Sequence, residues 1–137
     1  MLLGAGLLRV AVGSEIGVPP ASLTVDRSCS GCGGWHGRPT VPGADIDVSV
    51  SHSGLVVTVA TLAGGGRVGV DVERIGNRPV PEVVDWAITE ARFKAGGGSA
   101  LAVHELPPPA PGHVLTLATD RPDATPRLVD GTSLLTH

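Results

Sequence analysis

The chain has no tyrosine, one phenylalanine and two tryptophans, so aromatic residues make up only 2% of its 137 positions. Its core cannot rest on ring packing. Valine, leucine and alanine must build it, and the 42% apolar fraction is enough for that. Lysine is almost absent as well: Lys94 is the single one, beside nine arginines. The net charge of −3 argues against a general nucleic-acid or anionic-membrane binder. No apolar run approaches membrane-spanning length. The opening "MLLGAGLLRVAVGSEIG" lacks a basic stretch ahead of it and is interrupted by Arg9, so it does not read as a signal peptide. The expectation is a cytoplasmic protein without a membrane partner. There are only two cysteines, Cys29 and Cys32, which there read as reduced thiols.

Glycine and proline are plentiful, at 20 and 12 residues, which implies short elements joined by many turns. The length suits one domain with a modest core. Leu3, Leu7, Val10 and Ala11 recur at helical spacing, and Gly17 with Pro19-Pro20 ends that run. The spacing predicts a helix over 2–17. A glycine-rich loop, "DRSCSGCGGWHGRPTVPG", follows. "DIDVSVSH" alternates apolar and polar residues, "LVVTVATLA" reads as a buried strand, and "RVGVDVE" alternates again. With short turns between them, these three predict an antiparallel meander. "PEVVDWAITEARFKAGGG" changes to helical period through Val83, Trp86, Glu90, Phe93 and Lys94. "HVLTLATD" and "RLVDG" read as late strands, with "LPPPAPG" as a linker.

Four groups could carry chemistry. In "VGVDVERI", Asp71 and Glu73 lie two apart on a strand and share one face. Side-by-side carboxylates repel unless a cation lies between them, and magnesium suits such a pair; a solvated polar face is the plain alternative. In "SVSHSG", Ser51 and His52 end a strand where hydroxyl, imidazole and turn amides can hold phosphate. Ordinary turn chemistry is the alternative. Glu90 and Lys94 are one helical turn apart, either an ion pair worth roughly 0.3–0.5 kcal/mol or a carboxylate and an ammonium serving a metal-phosphate site. Cys29, Cys32 and His36 have the spacing of zinc ligands. A closed site would need a fourth ligand from His52, His104 or His113, so free thiols are the favoured reading. No nucleophile-elbow motif suggests a serine hydrolase.

Taken in order, "LLRVAVGSEIGVPP", "DRSCSGCGGWHGRP", "DVSVSHSG", "VGVDVE" and "WAITEARFKAGGG" resemble the Sfp-type 4′-phosphopantetheinyl transferases, actinobacterial ones in particular, over roughly residues 7 to 98. The resemblance implies an α+β fold: a pseudo-dimer of small antiparallel sheets packed with helices. Residues 1–66 would form one half of a single domain and 67–137 the other. It implies transfer of phosphopantetheine from coenzyme A to a serine of an acyl or peptidyl carrier protein, with Mg²⁺ (or Mn²⁺) as cofactor. Asp71, Glu73 and Glu90 would be metal ligands, and Glu90 also the base. Lys94 would contact phosphate. Ser51, His52, Arg38 and Arg9 would hold coenzyme A.

The chain departs from the family pattern in three places. Thr89 stands where the family has lysine. Only twelve residues separate Glu73 from Trp86, where the family has a few tens that grip the carrier. The sequence also begins inside what the resemblance makes the first helix. Two trimmed halves would be short of apolar cover, which self-association would restore. Three readings stay open: a compact transferase, a remnant that binds coenzyme A or a carrier without transfer, and a small zinc-stabilised module.

Overall fold

The computed structural model describes residues 2–98 and 100–135. Its element order is α1 (Leu2–Ile16), β1 (Ile46–Ser53), β2 (Val56–Ala63), β3 (Val68–Arg74), α2 (Val80–Lys94), β4 (Ala102–Leu106), β5 (His113–Thr119) and α3 (Gly131–Leu135). The class is α+β, with two small antiparallel sheets. Helix α1 buries Leu8 and Val12, one turn apart, and packs against the β1–β2 hairpin. It stops where Gly17 turns to φ +76° and its N–H closes back onto the Gly13 carbonyl. A left-handed residue there is easiest for glycine. The long loop from Leu23 to Ala44 contributes Val25 and Val41 to the same core cluster, beside Ile46 and Val48.

The expected three-stranded meander does not form. β1 and β2 make a two-stranded hairpin, pairing Ile46 with Ala63 through Ser53 with Val56. β3 leaves them and pairs with β5 in a second sheet of order β3-β5-β4. The reason lies in the polar face of β1. Its alternate side chains point at the free edge of β3 and take the place of a backbone ladder. The N–H groups of Val68, Val70, Val72 and Arg74 donate to Asp47 Oδ2, Ser49 Oγ, Ser51 Oγ and Ser53 Oγ, at 2.7, 3.1, 3.0 and 3.1 Å. A buried strand edge must have such partners. The period-two polar face of β1 therefore looks inward, at a seam between the two sheets, and Ser49 and Ser51 are buried.

Helix α2 packs on β3 and β5. Its buried stripe is Val83, Ala87 and Ala91. Small residues there let the helix come close, and Gly69 on β3 completes the contact. A Cβ at residue 69 would stand 2.1 Å from the Ala91 carbonyl oxygen. This close approach carries Lys94, in the last turn of α2, over the seam. Trp86 and Phe93, two of the residues that set the helical period, lie on its outer side at 50% and 78% exposure. The alanine stripe leaves no room for rings.

Two further differences concern the end of the chain. Ala102–Leu106, not expected as a strand, pairs with β5 as β4, so the proline-rich 107–112 connects a hairpin. "RLVDG" forms no strand; residues 127–130 are irregular and α3 begins at Gly131, beside α1. Among the described residues no helix is long and apolar enough to cross a membrane.

Candidate functional site

The seam opens into a cleft of about 670 Å³, lined by Arg27, Trp35 and His36 from the loop, Ser51 and His52 from β1, and Lys94 from α2. That volume is within the usual range for small-molecule sites, roughly 300–1,000 Å³. Directly behind Ser51 and Lys94 sits Asp71, only 4% exposed. Its Oδ1 accepts from Ser51 Oγ at 3.3 Å and from Lys94 Nζ at 3.4 Å. Its Oδ2 is buried, and no N–H or hydroxyl donor reaches it. The Lys94 ammonium also donates to the carbonyls of Val50 and Val70, at 3.3 and 3.1 Å, so it bridges both sheets.

Burial, and after it a hydrogen bond shared with Glu73, push the Asp71 carboxyl up to about 7 against the opposing pull of the Lys94 charge. Removal from water penalises the charged form, and a like-charged neighbour makes a shared proton favourable. The two strand carboxylates thus meet, as their spacing led one to expect. Lys94 reaches across to Asp71. Glu90, one turn before it, takes no part: among the described residues the ion pairs are Arg38–Asp47 and Lys94–Asp71.

The structure places the other expected residues as follows. Glu90 is half-buried on α2 and is not gathered with Asp71 and Glu73 into a set within 4.8 Å. Arg38 donates to both oxygens of Asp47, at 2.8 and 2.6 Å, and to the carbonyls of Lys94 and Val68, at 3.1 and 3.0 Å. It is committed to closing the seam and does not line the cleft. Arg9 bonds the Ala5 carbonyl of its own helix, at 3.4 Å, and is also off the cleft wall. Ser51 lines the cleft, but its hydroxyl accepts from Val72 and donates to Asp71. His52 is exposed at the cleft. Cys29, Cys32 and His36 come together at its rim.

Arg27 and Trp35 line the cleft without having been singled out in the sequence. The signal was their position in the loop that also carries Cys29, Cys32 and His36, since a loop folded around one cluster brings its neighbours to the same place. Arg27 is anchored by Nε to the Gly37 carbonyl at 3.3 Å. It supplies the cationic wall expected of Arg38.

A hard cation fits the Asp71–Glu73 pair in part. Magnesium is held by one or two carboxylates plus phosphate oxygens and water, and Asp71 Oδ2 is a buried oxygen that no N–H or hydroxyl donor reaches. The third carboxylate of a triad is not in place. No protein-family model matches the chain, and no curated protein matches it.

Proposed function

We propose that the protein binds coenzyme A in this cleft and transfers its phosphopantetheine arm to a carrier-protein serine, as an Sfp-type 4′-phosphopantetheinyl transferase would. The observation that carries the reading is the buried Oδ2 of Asp71, which no N–H or hydroxyl donor reaches, beside Glu73 and behind a cationic cleft. A carboxyl group kept from water beside a second carboxylate costs stability. Such a cost persists where a ligand completes the site.

In this reading Arg27, His52 and Lys94 bind the phosphates, and the exposed ring of Trp35 offers a stacking face for the adenine. Asp71 and Glu73 would hold Mg²⁺, which neutralises charge on the pyrophosphate when bound. The carrier serine Oγ attacks the phosphorus next to the pantetheine arm. The bond from that phosphorus to the bridging oxygen breaks, and adenosine 3′,5′-bisphosphate leaves. Glu90, with no hydrogen bond or ion pair in the described structure, takes the serine proton. Positioning and charge neutralisation contribute most to this class of reaction.

A second reading is favoured by one set of observations: Ser51 and Arg38 are committed to the seam, and Glu90 stands apart. These features suit a homologue that binds coenzyme A or a carrier without transfer. One experiment separates the two. The protein is mixed with coenzyme A, Mg²⁺ and apo carrier proteins of fatty-acid, polyketide and peptide synthesis, and intact carrier mass is read. A gain of one phosphopantetheine, abolished by chelator, supports the transferase. No gain, with calorimetric binding of coenzyme A, supports the binding protein. Neither gain nor binding removes both.

A further inference from the structure

At the rim of the cleft the loop folds into a knuckle that the transferase reading does not use. Cys29 Sγ, Cys32 Sγ and a ring nitrogen of His36 lie within 4.8 Å of one another. Cys32 Sγ is 2.9 Å from His36 Nε2. Two backbone amides point at the sulfurs: Gly31 N–H donates to Cys29 Sγ and Gly34 N–H to Cys32 Sγ, each at 3.4 Å. In both cases the donor is two residues past the cysteine. The turn is closed by Cys29 N–H to the Gly34 carbonyl at 2.7 Å and Gly33 N–H to the Cys29 carbonyl at 2.8 Å. Gly33 takes φ +76°, which favours glycine. A Cβ at residue 34 would stand 3.1 Å from the imidazole and 3.3 Å from Cys32 Sγ, so glycine leaves the ligand atoms free to converge.

We propose that Cys29, Cys32 and His36 bind one zinc ion, with a fourth coordination position left open at the rim of the cleft. Two thiolates and a neutral imidazole match the ligand preferences of a borderline-soft, four-coordinate ion. Amides aimed at sulfur favour thiolate over thiol, as the metal requires. The thiolates balance the 2+ charge, and the fourth ligand is water or a donor atom from a bound molecule. His52, His104 and His113, the candidate fourth ligands on β1, β4 and β5, are not part of the cluster. Cys32 and His36 are exposed and Cys29 half-exposed, so the ion exchanges with solvent and chelators reach it without unfolding the cores. Because His36 also lines the cleft, the ion fixes the wall that carries Trp35 and Arg27. The assignment does not depend on the transferase reading, and its test needs no activity.

The full chain is reduced, stripped of metal and titrated with Co²⁺, then with Zn²⁺. One equivalent of Co²⁺ is expected to give thiolate-to-cobalt charge-transfer absorption with the visible bands of a four-coordinate ion, and Zn²⁺ to bleach both. Cys29→Ser and Cys32→Ser should lose the charge-transfer band. His36→Gln should weaken Co²⁺ binding by at least about 10–100-fold, since even outer-sphere partners of a metal ligand matter that much. On the unaltered protein, one equivalent of Zn²⁺ should slow alkylation of both thiols at least about tenfold, a readout that survives any misfolding of the variants. Absence of the band when both thiols titrate as reduced would overturn the site, as would a band that persists in the serine variants. Equal Co²⁺ affinity with and without the imidazole would overturn the assignment of His36.

Discussion

Two carboxylates sit along the seam between the sheets, and each meets one cation. Asp47 receives a bidentate guanidinium from Arg38 and the N–H of Val68, so both its oxygens are taken at 2.6–2.8 Å. Asp71 receives Lys94 and Ser51 on one oxygen only, at 3.3–3.4 Å, and no N–H or hydroxyl donor reaches its other oxygen. The planar fork of arginine fills a carboxylate, whereas an ammonium meets it as a point charge. The first pair closes the structure. The second leaves one carboxylate oxygen without a donor. Along this seam arginine fills both oxygens of its carboxylate, and the one lysine fills a single oxygen of the other.

That contrast can be broken or sharpened in four ways. Asp47→Ala should be the most damaging, because it strands a partly buried guanidinium and the Val68 amide together. A loss of about 3 kcal/mol is expected, read as a lower denaturant midpoint at unchanged slope. A midpoint within error of the parent would mean that the two sheets do not depend on this pair. Arg38→Lys keeps the charge but loses the fork, and should cost about 1–2 kcal/mol in the same assay.

Asp71→Asn tests the other side through pH. A carboxyl raised in the folded state holds its proton where the unfolded chain has released it. The folded protein therefore loses stability as pH rises from the unfolded value of 3.8 to about 7, by up to about 1.4 kcal/mol per pH unit, and levels off above. The asparagine variant should lack this share of the slope, so the difference between the two proteins should shrink towards low pH and grow towards neutral. Mg²⁺ should reduce the parent's slope and leave the variant's unchanged. Parallel stability curves for the two proteins would place Asp71 outside the titration. Lys94→Gln should be the mildest, about 1 kcal/mol or less near pH 7, because the Asp71 proton replaces the lost cation. The same variant should lose most of its coenzyme A affinity by calorimetry, which separates a ligand role from a structural one.

Much of this was legible in the sequence, for local reasons. Both long helices and the strands β1, β2, β3 and β5 follow from period, turn glycines and proline stops. The meeting of Asp71 with Glu73 follows from strand alternation alone. The gathering of Cys29, Cys32 and His36 follows from spacing in a short loop. What was not legible depends on contacts distant in sequence. Alternation in "DVSVSHS" states that one face is polar, but not that this face caps another strand. The meander is therefore the natural expectation, with Ser51 free to hold phosphate, while the place of Arg38 at a ligand is implied by the family resemblance alone. The packed face of α2 was hidden for a similar reason: Trp86 and Phe93 outweigh Ala87 and Ala91 by hydrophobicity, and only Gly69, some twenty residues earlier, selects the small stripe. β4 is short and has no clear period, and it becomes a strand by pairing with β5.

The hydroxyl row along β1 has one more consequence, for solubility. β3 is a valine-rich strand at the edge of its sheet, the kind of edge that recruits strands from other molecules. Here the recruiting edge is sealed by three serines and an aspartate, four small polar groups with no surplus. Replacing Ser49 with alanine would remove little volume, yet it would bare the amide of Val70 in the middle of the edge. The sealing of this edge thus rests on single oxygen atoms, and the earliest sign of damage at the seam should be turbidity on storage, before any loss of the folded signal.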